Sequence, residues 1–292
     1  MRRQLATVSL IALLAVSCTG TDAETTTTPD TATTTELPAM TTLPPASTST
    51  TTEQPPATTT TTTLPPPPEN ECVVEPYASI TIVDYTQGCT VLDMVLLAEE
   101  EVDPTAIDAM ADRVHNMLLT RPDLIASLQE AGIEGRTVGQ DQRITSLPEF
   151  EDLYDQYPGY DWNRYGRSFP GTTDIPVFAG SEENLLCLDG DRYEGEDDFV
   201  RWFALTIKRF GLDVVDTGTS NAIGQAYGRA IAAGLWENTL AEINADEYWM
   251  EGVQSFFDAN LENTEEDREP NSSHNHVNTR EELAEYDPTL YA

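Results

Sequence analysis

The stretch EDDFVRWFALTIKRFG, residues 196–211, has the pattern of one amphipathic helix. Acidic residues stand at its start, and Lys208 and Arg209 stand near its end, which suits the helix dipole. Gly211 predicts where the helix ends. Apolar residues recur at a spacing of three to four and predict one buried face. They are Val200, Phe203, Ala204, Ile207 and Phe210.

A second helix is predicted over residues 244–258, NADEYWMEGVQSFFD. Two helices in this order are how a zinc site of the HExxH kind is built. Two histidines four residues apart share one helix face, the glutamate after the first histidine is the base, and a later helix supplies a third ligand, often glutamate. The two predicted helices have the order that such a site requires.

Several blocks of the sequence carry a family resemblance. They are EENLLC at 182–187, GDRY at 190–193, GE at 195–196, NADEYWMEGVQ at 244–254, FDAN at 257–260, NTREEL at 278–283 and YDP at 286–288. With these blocks, residues from about 77 to 292 resemble secreted zincin-like metallopeptidases (gluzincins) related to the catalytic domain of anthrax lethal factor. The resemblance implies an α+β fold, a helix-rich zincin-like domain with a small sheet.

The resemblance also implies that the zinc motif is degenerate. The family's HEFAH falls on RWFAL, so that Arg201, Trp202 and Leu205 stand where the two histidines and the glutamate are needed. Arginine and leucine do not ligate zinc, and tryptophan does not accept a proton from water. A tyrosine of resembling enzymes falls at Leu240. Glu247 alone carries over as a ligand position, and no metal cofactor is expected.

A lone buried carboxylate at Glu247 is costly, whereas an arginine partner offsets the cost. We therefore predict that Arg201 and Glu247 form an ion pair where the family holds its metal. Glu251 lies one helical turn after Glu247. It is interpreted either as an acid that contacts the site residues from behind or as a surface acid. Trp202 is expected to fill the space of metal and water or to form an aromatic floor for a peptide or glycan.

The remaining histidines offer one alternative. His274 and His276 form the only close pair, on a polar loop where we expect them to be solvated, and His115 lies in a predicted helix. A working metal-dependent hydrolase would need Glu247 together with His274 or His276 to hold zinc. A third possibility is a solute-binding lipoprotein whose acidic cleft takes a cationic ligand.

Residues 1–17 have the composition of a signal peptide. Arg2 and Arg3 precede an apolar run over residues 5–16 that is too short to span a bilayer. The sequence AVSC at 15–18 resembles a bacterial lipobox, which predicts a lipid on Cys18 and a position on the outer face of the cell membrane. An ordinary secretory cleavage that releases the chain is the alternative.

Residues 18–70 are rich in Thr and Pro and are predicted to be a disordered linker. In extended polyproline II form they would reach roughly 150 Å, enough for a stalk that crosses a cell wall. The folded domain is expected over residues 71–292.

The formal net charge is −36, with Lys208 as the single lysine. Such a surface repels phosphate backbones and disfavours nucleic acid as a partner. The favoured function is a cell-surface lipoprotein with an inactive peptidase fold that binds an extracellular peptide, protein or glycan or has a structural role.

Local patterns predict the other elements. Three cysteines follow the linker, Cys72, Cys89 and Cys187, and a bond between the first two would tie the linker to the domain. The elements are a strand over 78–85, a helix over 104–119 after the N-cap Asp103, a helix from 122 to 132, short strands around Thr137 and Ile144, a long aromatic loop over 154–180, a helix over 221–236, a polar loop over 263–278 and a helix that begins with a capping box at 279–282.

Overall fold

The computed structural model describes residues 70–77, 85–261 and 270–292. The predicted signal peptide, Cys18 and the linker up to residue 69 lie outside these residues. So does the predicted strand over 78–85, except for Tyr85, which is buried and belongs to no strand. The described part of the chain is α+β, with helices around one mixed sheet.

The sheet has five strands in the order of the sequence. They are β1 Glu75–Pro76, β2 Gln87–Val91, β3 Met94–Ala98, β4 Glu134–Val138 and β5 Val177–Ser181. The first three strands pair antiparallel, and the last three pair parallel. Leu92 and Asp93 both have positive φ, 49° and 59°, in the two-residue turn between β2 and β3. Such a turn matches the twist of a hairpin, but Leu-Asp is not the usual sequence for it, and the hairpin was not predicted.

Helices cover the sheet and form the C-terminal half. They are α1 Pro104–Leu118, α2 Pro122–Glu130, α3 Leu153–Gln156, α4 Trp162–Tyr165, α5 Glu182–Leu186, α6 Asp198–Ile207, α7 Asp213–Val215, α8 Thr217–Ala232, α9 Ala245–Phe256, α10 Arg280–Tyr286 and α11 Pro288–Tyr291. Short 3-10 helices occupy Ile144–Ser146, Pro148–Phe150 and Leu240–Glu242, and a π-helix occupies Lys208–Leu212. Within the described residues, no helix has the length and apolar character needed to cross a membrane.

The helix starts that rest on local capping are confirmed. The Asp103 side chain accepts from the Thr105 amide at 2.9 Å and begins α1. Thr279 and Glu282 form the predicted capping box of α10. The predicted stripe of α1 is fully buried. Its members are Ile107, Met110, Val114 and Leu118.

Three predictions of local structure are wrong. Gly211 does not end its helix, because its small size lets the π-helix pack on Leu124, whose Cδ2 would lie 3.0 Å from an added Cβ. Ile144 lies in a 3-10 helix, and its β-branched side chain is buried there rather than in a strand. The loop over 154–180 contains α4 and the start of β5. In these places tertiary packing overrides local propensity.

The strands β4 and β5 are buried on both faces, and α6 lies against one of them. Phe203 of α6 contacts Phe178 of β5 with ring centroids 4.7 Å apart, and Phe199 stacks on Phe203. A Cβ at Gly180 would lie only 2.7 Å from Phe199, so glycine permits the close approach of strand and helix. The opposite face of α6 is thereby turned towards α9.

A disulfide ties the start of the described domain to the sheet. Cys72 and Cys89 are bonded, with their Cα atoms 5.3 Å apart, and Cys89 lies in β2. This is the pairing that the sequence left open, and it fastens the segment after the linker to a central part of the fold.

Candidate functional site

Two capped helices, α6 and α9, build the centre of the site. The Asp197 side chain accepts from the Val200 amide and begins α6, and Asn244 accepts from the Glu247 amide and begins α9. The two helices pack through Val200, Ala204 and Val253. Residue 201 of α6 therefore faces the first turns of α9.

The guanidinium group of Arg201 lies buried between three side chains of α9. One of its nitrogens, Nη2, contacts Glu247, and Nη1 donates to Glu251 at 2.9 Å and to Gln254 at 3.2 Å. Arg201 is only 5% exposed. The predicted ion pair between Arg201 and Glu247 is confirmed, and the arginine binds a second carboxylate as well.

Glu251 is fully buried, so of the two positions expected for it the one behind the site is confirmed and the surface position is excluded. Besides Arg201, its carboxylate contacts His274 Nδ1 at 2.8 Å and accepts from Asn260 Nδ2 at 2.9 Å. Burial raises the pKa of Glu251, but His274 and Arg201 outweigh burial and hold it below its usual value. The structure thus keeps this carboxylate charged inside the protein.

His274 is buried too, so the expectation of a solvated histidine is wrong. Its other ring nitrogen, Nε2, lies 3.5 Å from Glu196. Burial lowers the pKa of His274, but the bond to Glu251 and the charge of Glu196 raise it above 6.5. His276 lies outside this cluster, half-buried, with its ring 5.4 Å from that of Tyr286.

A cleft lies beside Arg201, and Trp202 and Leu240 line it. Leu205 is buried and is not among the lining residues. The Trp202 indole N–H donates to Asp198 at 3.0 Å. The Leu240 amide donates to the Ser273 carbonyl at 2.9 Å, next to His274. These contacts place the loop that carries His274 along the wall of the cleft.

The side chains present do not fit a zinc ion. The guanidinium of Arg201 takes the Glu247 oxygen that a metal would need, and its positive charge repels a cation. The two ring nitrogens of His274 point at different carboxylates rather than at a shared point. Among the described residues no group of three or more His, Cys, Asp or Glu side chains is arranged to hold a metal.

The cleft above Arg201 is a cavity of about 560 Å³. Trp202 lies on its wall, consistent with an aromatic surface rather than a filled space. Much of the wall comes from the segment over 154–180, which was predicted to be an aromatic loop. The high number of aromatic residues in that segment was the sequence feature that could have indicated a cavity wall. The aromatic lining residues are Tyr157, Tyr160, Trp162, Phe169, Tyr193 and Trp202.

No protein-family model matches this chain, and no curated protein matches it. Among solved structures the chain is similar to a Pro-Pro endopeptidase from Paenibacillus alvei. The sequence identity is 13%, the TM-score is 0.46, and the match covers 68% of this chain and 95% of that one.

Asp198, which the sequence did not single out, lies on the wall beside Trp202 and is 3% exposed. Its Oδ1 accepts a hydrogen bond from the Trp202 indole, and its Oδ2 is completely covered by protein. Burial, then the charge of Glu196, raise the pKa of Asp198 to about 7. The Ser168 hydroxyl interacts with this carboxyl and opposes the rise.

Proposed function

We propose that this chain is an exported lipoprotein whose folded part is a zincin-like domain with a binding role and without metallopeptidase activity. The family assignment rests on the sequence blocks at 182–196, 244–260 and 278–288. The pairing of α6 with α9 is the arrangement that the resemblance implies for a helix pair that surrounds a metal.

The observation that carries the proposal is the buried position of Arg201. Its guanidinium group is held by Glu247, Glu251 and Gln254 on the neighbouring helix. An arginine remains charged at any physiological pH, so this group does not vacate the site by losing a proton. Trp202, in the position of the general base, has only an N–H donor to offer.

A binding role follows from the shape and lining of the cleft. The cavity is large enough for several side chains of a peptide, and apolar rings with a few polar groups are typical of ligand sites. Because the wall next to Arg201 retains polar atoms, the cleft offers orientation as well as apolar contact.

Anchoring through Cys18 is the part of the proposal that rests on sequence alone. A lipid there, with the linker, would hold the domain at the outer face of the membrane. Cell fractionation with and without Cys18→Ala tests it. The variant is expected in the medium and the natural chain in the membrane fraction, and an equal distribution contradicts the anchor.

Metal analysis of purified protein tests the loss of peptidase chemistry. The natural chain is expected to carry no stoichiometric zinc and to leave an unfolded casein substrate intact when zinc is added. The variant Arg201→His, Trp202→Glu, Leu205→His is expected to bind one zinc. A matched control with Trp202→Glu and Leu205→His retains Arg201 and is expected to bind none.

The possible outcomes separate the alternatives. If the natural chain holds one zinc that His274→Ala removes, the proposal is wrong and a metal-dependent hydrolase is favoured. If the natural chain is metal-free and a folded triple variant is metal-free as well, the alignment of RWFAL with the zinc motif is wrong. Circular dichroism of each variant establishes that it is folded.

A further inference from the structure

Arg209 is a basic residue of the cleft wall that has no part in the ion-pair cluster around Arg201. It lies in the π-helix that continues α6, it is half-buried, and it lines the cavity. Within the described ranges its guanidinium group makes no hydrogen bond and no ion pair. A guanidinium group carries five N–H donors, so the donors of Arg209 are available to a ligand in the cleft.

The charges on the cleft wall are balanced, although the protein as a whole is strongly acidic. The chain has 51 acidic residues against 15 lysines and arginines. Acidic residues and residues with basic side chains are equally frequent on the wall. The acids are Glu196, Asp198 and Glu247, and the basic residues are Arg201, Arg209 and His274. The cleft is therefore a place where an anionic group meets less repulsion than elsewhere on this protein.

The acidic side chains of the wall already have partners inside the protein. The contacts are Glu247 with Arg201, Glu196 with His274 at 3.5 Å and with Gln254 at 3.2 Å, and Asp198 with Trp202 at 3.0 Å. Arg201 and His274 are held in turn by Glu251. Arg209 is thus the charge on the wall that a ligand has to match, and a carboxylate matches it with two parallel hydrogen bonds.

Aromatic rings form one connected surface on the same wall. The ring centroid of Trp162 lies 4.6 Å from that of Tyr160, 6.0 Å from that of Tyr157 and 5.8 Å from that of Phe169. Tyr157 and Tyr160 are 37% and 41% exposed. Exposed rings that are grouped in this way are suited to cover apolar side chains of a partner.

The loop that carries Gly171 forms the wall beside Arg209. A Cβ on Gly171 would lie 3.3 Å from Thr206, three residues before Arg209. The amides of this loop are engaged, because Gly171 donates to Thr206 Oγ1 at 3.0 Å, Thr172 donates to a carbonyl of its own loop at 2.7 Å, and Pro170 has no N–H. Terminal carboxylates are held in nests of backbone amides, so this wall favours a carboxylate on a side chain within a peptide.

The bonding of the wall also favours a peptide over a polysaccharide. Most of its polar groups bind one another, and a sugar brings a hydroxyl group on nearly every carbon atom that needs a partner when it is covered. An extended peptide brings apolar side chains for the rings and a single charge for Arg209.

We propose that the cleft binds an extended acidic peptide segment, with a glutamate or aspartate carboxylate paired with Arg209 and an apolar side chain two residues away lying on Tyr160 and Trp202. Side chains two residues apart point to the same side of an extended chain, so both reach one wall. The proposal rests on the proposed function, since it assigns a ligand class to the same cleft.

Calorimetric titration of the full mature chain tests this assignment. The probes are acetylated, amidated pentapeptides Ala-Phe-Ala-Xaa-Ala, in which Xaa is glutamate, glutamine or lysine. The glutamate peptide is expected to bind about five-fold more tightly than the glutamine peptide, the upper range for an ion pair that is partly exposed to water. Arg209→Gln is expected to bind both peptides equally, and Arg209→Lys is expected to keep part of the preference.

Arg229→Gln is the matched control. Arg229 is an exposed arginine in the last turn of α8 and is not among the residues that line the cleft. The substitution removes the same charge and is expected to keep the preference for glutamate. Circular dichroism establishes that both variants are folded. Loss of the preference in both variants indicates general attraction and overturns the assignment to Arg209.

Other results overturn the acidic-peptide assignment without overturning the proposed function. Equal binding of the glutamate and glutamine peptides by the natural chain indicates a purely apolar cleft, and tighter binding of the lysine peptide indicates a cation site. Two further probes are acetyl-Ala-Phe-Ala with a free C-terminus and an oligomer of glucuronic acid. If either binds more tightly than the glutamate peptide, the ligand is a terminal carboxylate or an acidic polysaccharide.

The two proposals fail in different ways. If no probe binds, the acidic-peptide site is wrong, whereas the metal content of the natural chain still decides the loss of peptidase chemistry. If the natural chain holds zinc and the preference for glutamate still depends on Arg209, the proposed function is wrong and the ligand class stands.

Discussion

Replacing Arg201 by methionine should destabilise the domain strongly. Methionine keeps much of the length of the side chain but removes the donors to Glu251 and Glu247. Glu251 is fully buried and keeps only its contacts with His274 and Asn260, whereas the 22% exposed side chain of Glu247 is able to turn towards the cleft. Removing one partner of a buried pair costs about 3–5 kcal/mol, and we expect the lower end, about 3 kcal/mol, because part of the Glu251 network survives.

Equilibrium urea unfolding at pH 7, followed by circular dichroism, measures this cost. The double variant Arg201→Met, Glu251→Gln removes the stranded charge as well. It should therefore be more stable than the sum of the two single changes predicts, by on the order of 1 kcal/mol.

Arg121→Met is the matched control for the loss of an arginine from an ion pair. Arg121 is partly exposed, with 34% of its side chain accessible, and its partners Asp123 and Asp216 are 48% and 30% accessible. Exposed pairs contribute little, roughly 0–1 kcal/mol. If Arg201→Met costs no more than Arg121→Met, the buried cluster does not stabilise the fold and the reasoning above is refuted.

Two further predictions concern stability. The pKa of Asp198 is raised to about 7, so the folded protein holds a proton there that the unfolded chain releases near pH 4. The contribution of Asp198 to the free energy of unfolding should therefore fall as the pH rises from 4 through 7. In thermal melts over this range, Asp198→Asn should reduce the decrease of the melting temperature with pH. An unchanged pH dependence in the variant contradicts the assignment. Replacing Cys72 and Cys89 by serine opens a loop with a sequence separation of 17, and should cost about 3 kcal/mol in urea unfolding, while a cost near zero would mean that the bond does not constrain the unfolded chain.

Much of the fold follows from local sequence. The N-caps Asp103 and Asn244 and the capping box at Thr279 mark helix starts that the structure contains, because a cap acts on amides within three residues of itself. The hairpin between β2 and β3 was missed because its turn uses leucine and aspartate where glycine or asparagine is usual.

The candidate site was predictable only in part. The pairing of Arg201 with Glu247 was predicted from the sequence resemblance and from the cost of a lone buried carboxylate. His274 was expected to be solvated, since on a polar loop a histidine gives no local sign that it is covered, and the position of Glu251, behind the site or on the surface, was left open. Nothing in the sequence near Asp198 indicated that its carboxyl group is buried.

The sequence by itself determined the amphipathic helices and their caps, because these depend on residues a few positions apart. Tertiary structure decided which charges are buried and what they contact. His274 lies 23 positions from Glu251, and Arg201 lies 50 positions from it, yet all three meet in one cluster. Burial and pairing of charge arise only when distant elements exclude water together, and they decide whether the cleft holds a metal, an ion pair or a cationic ligand.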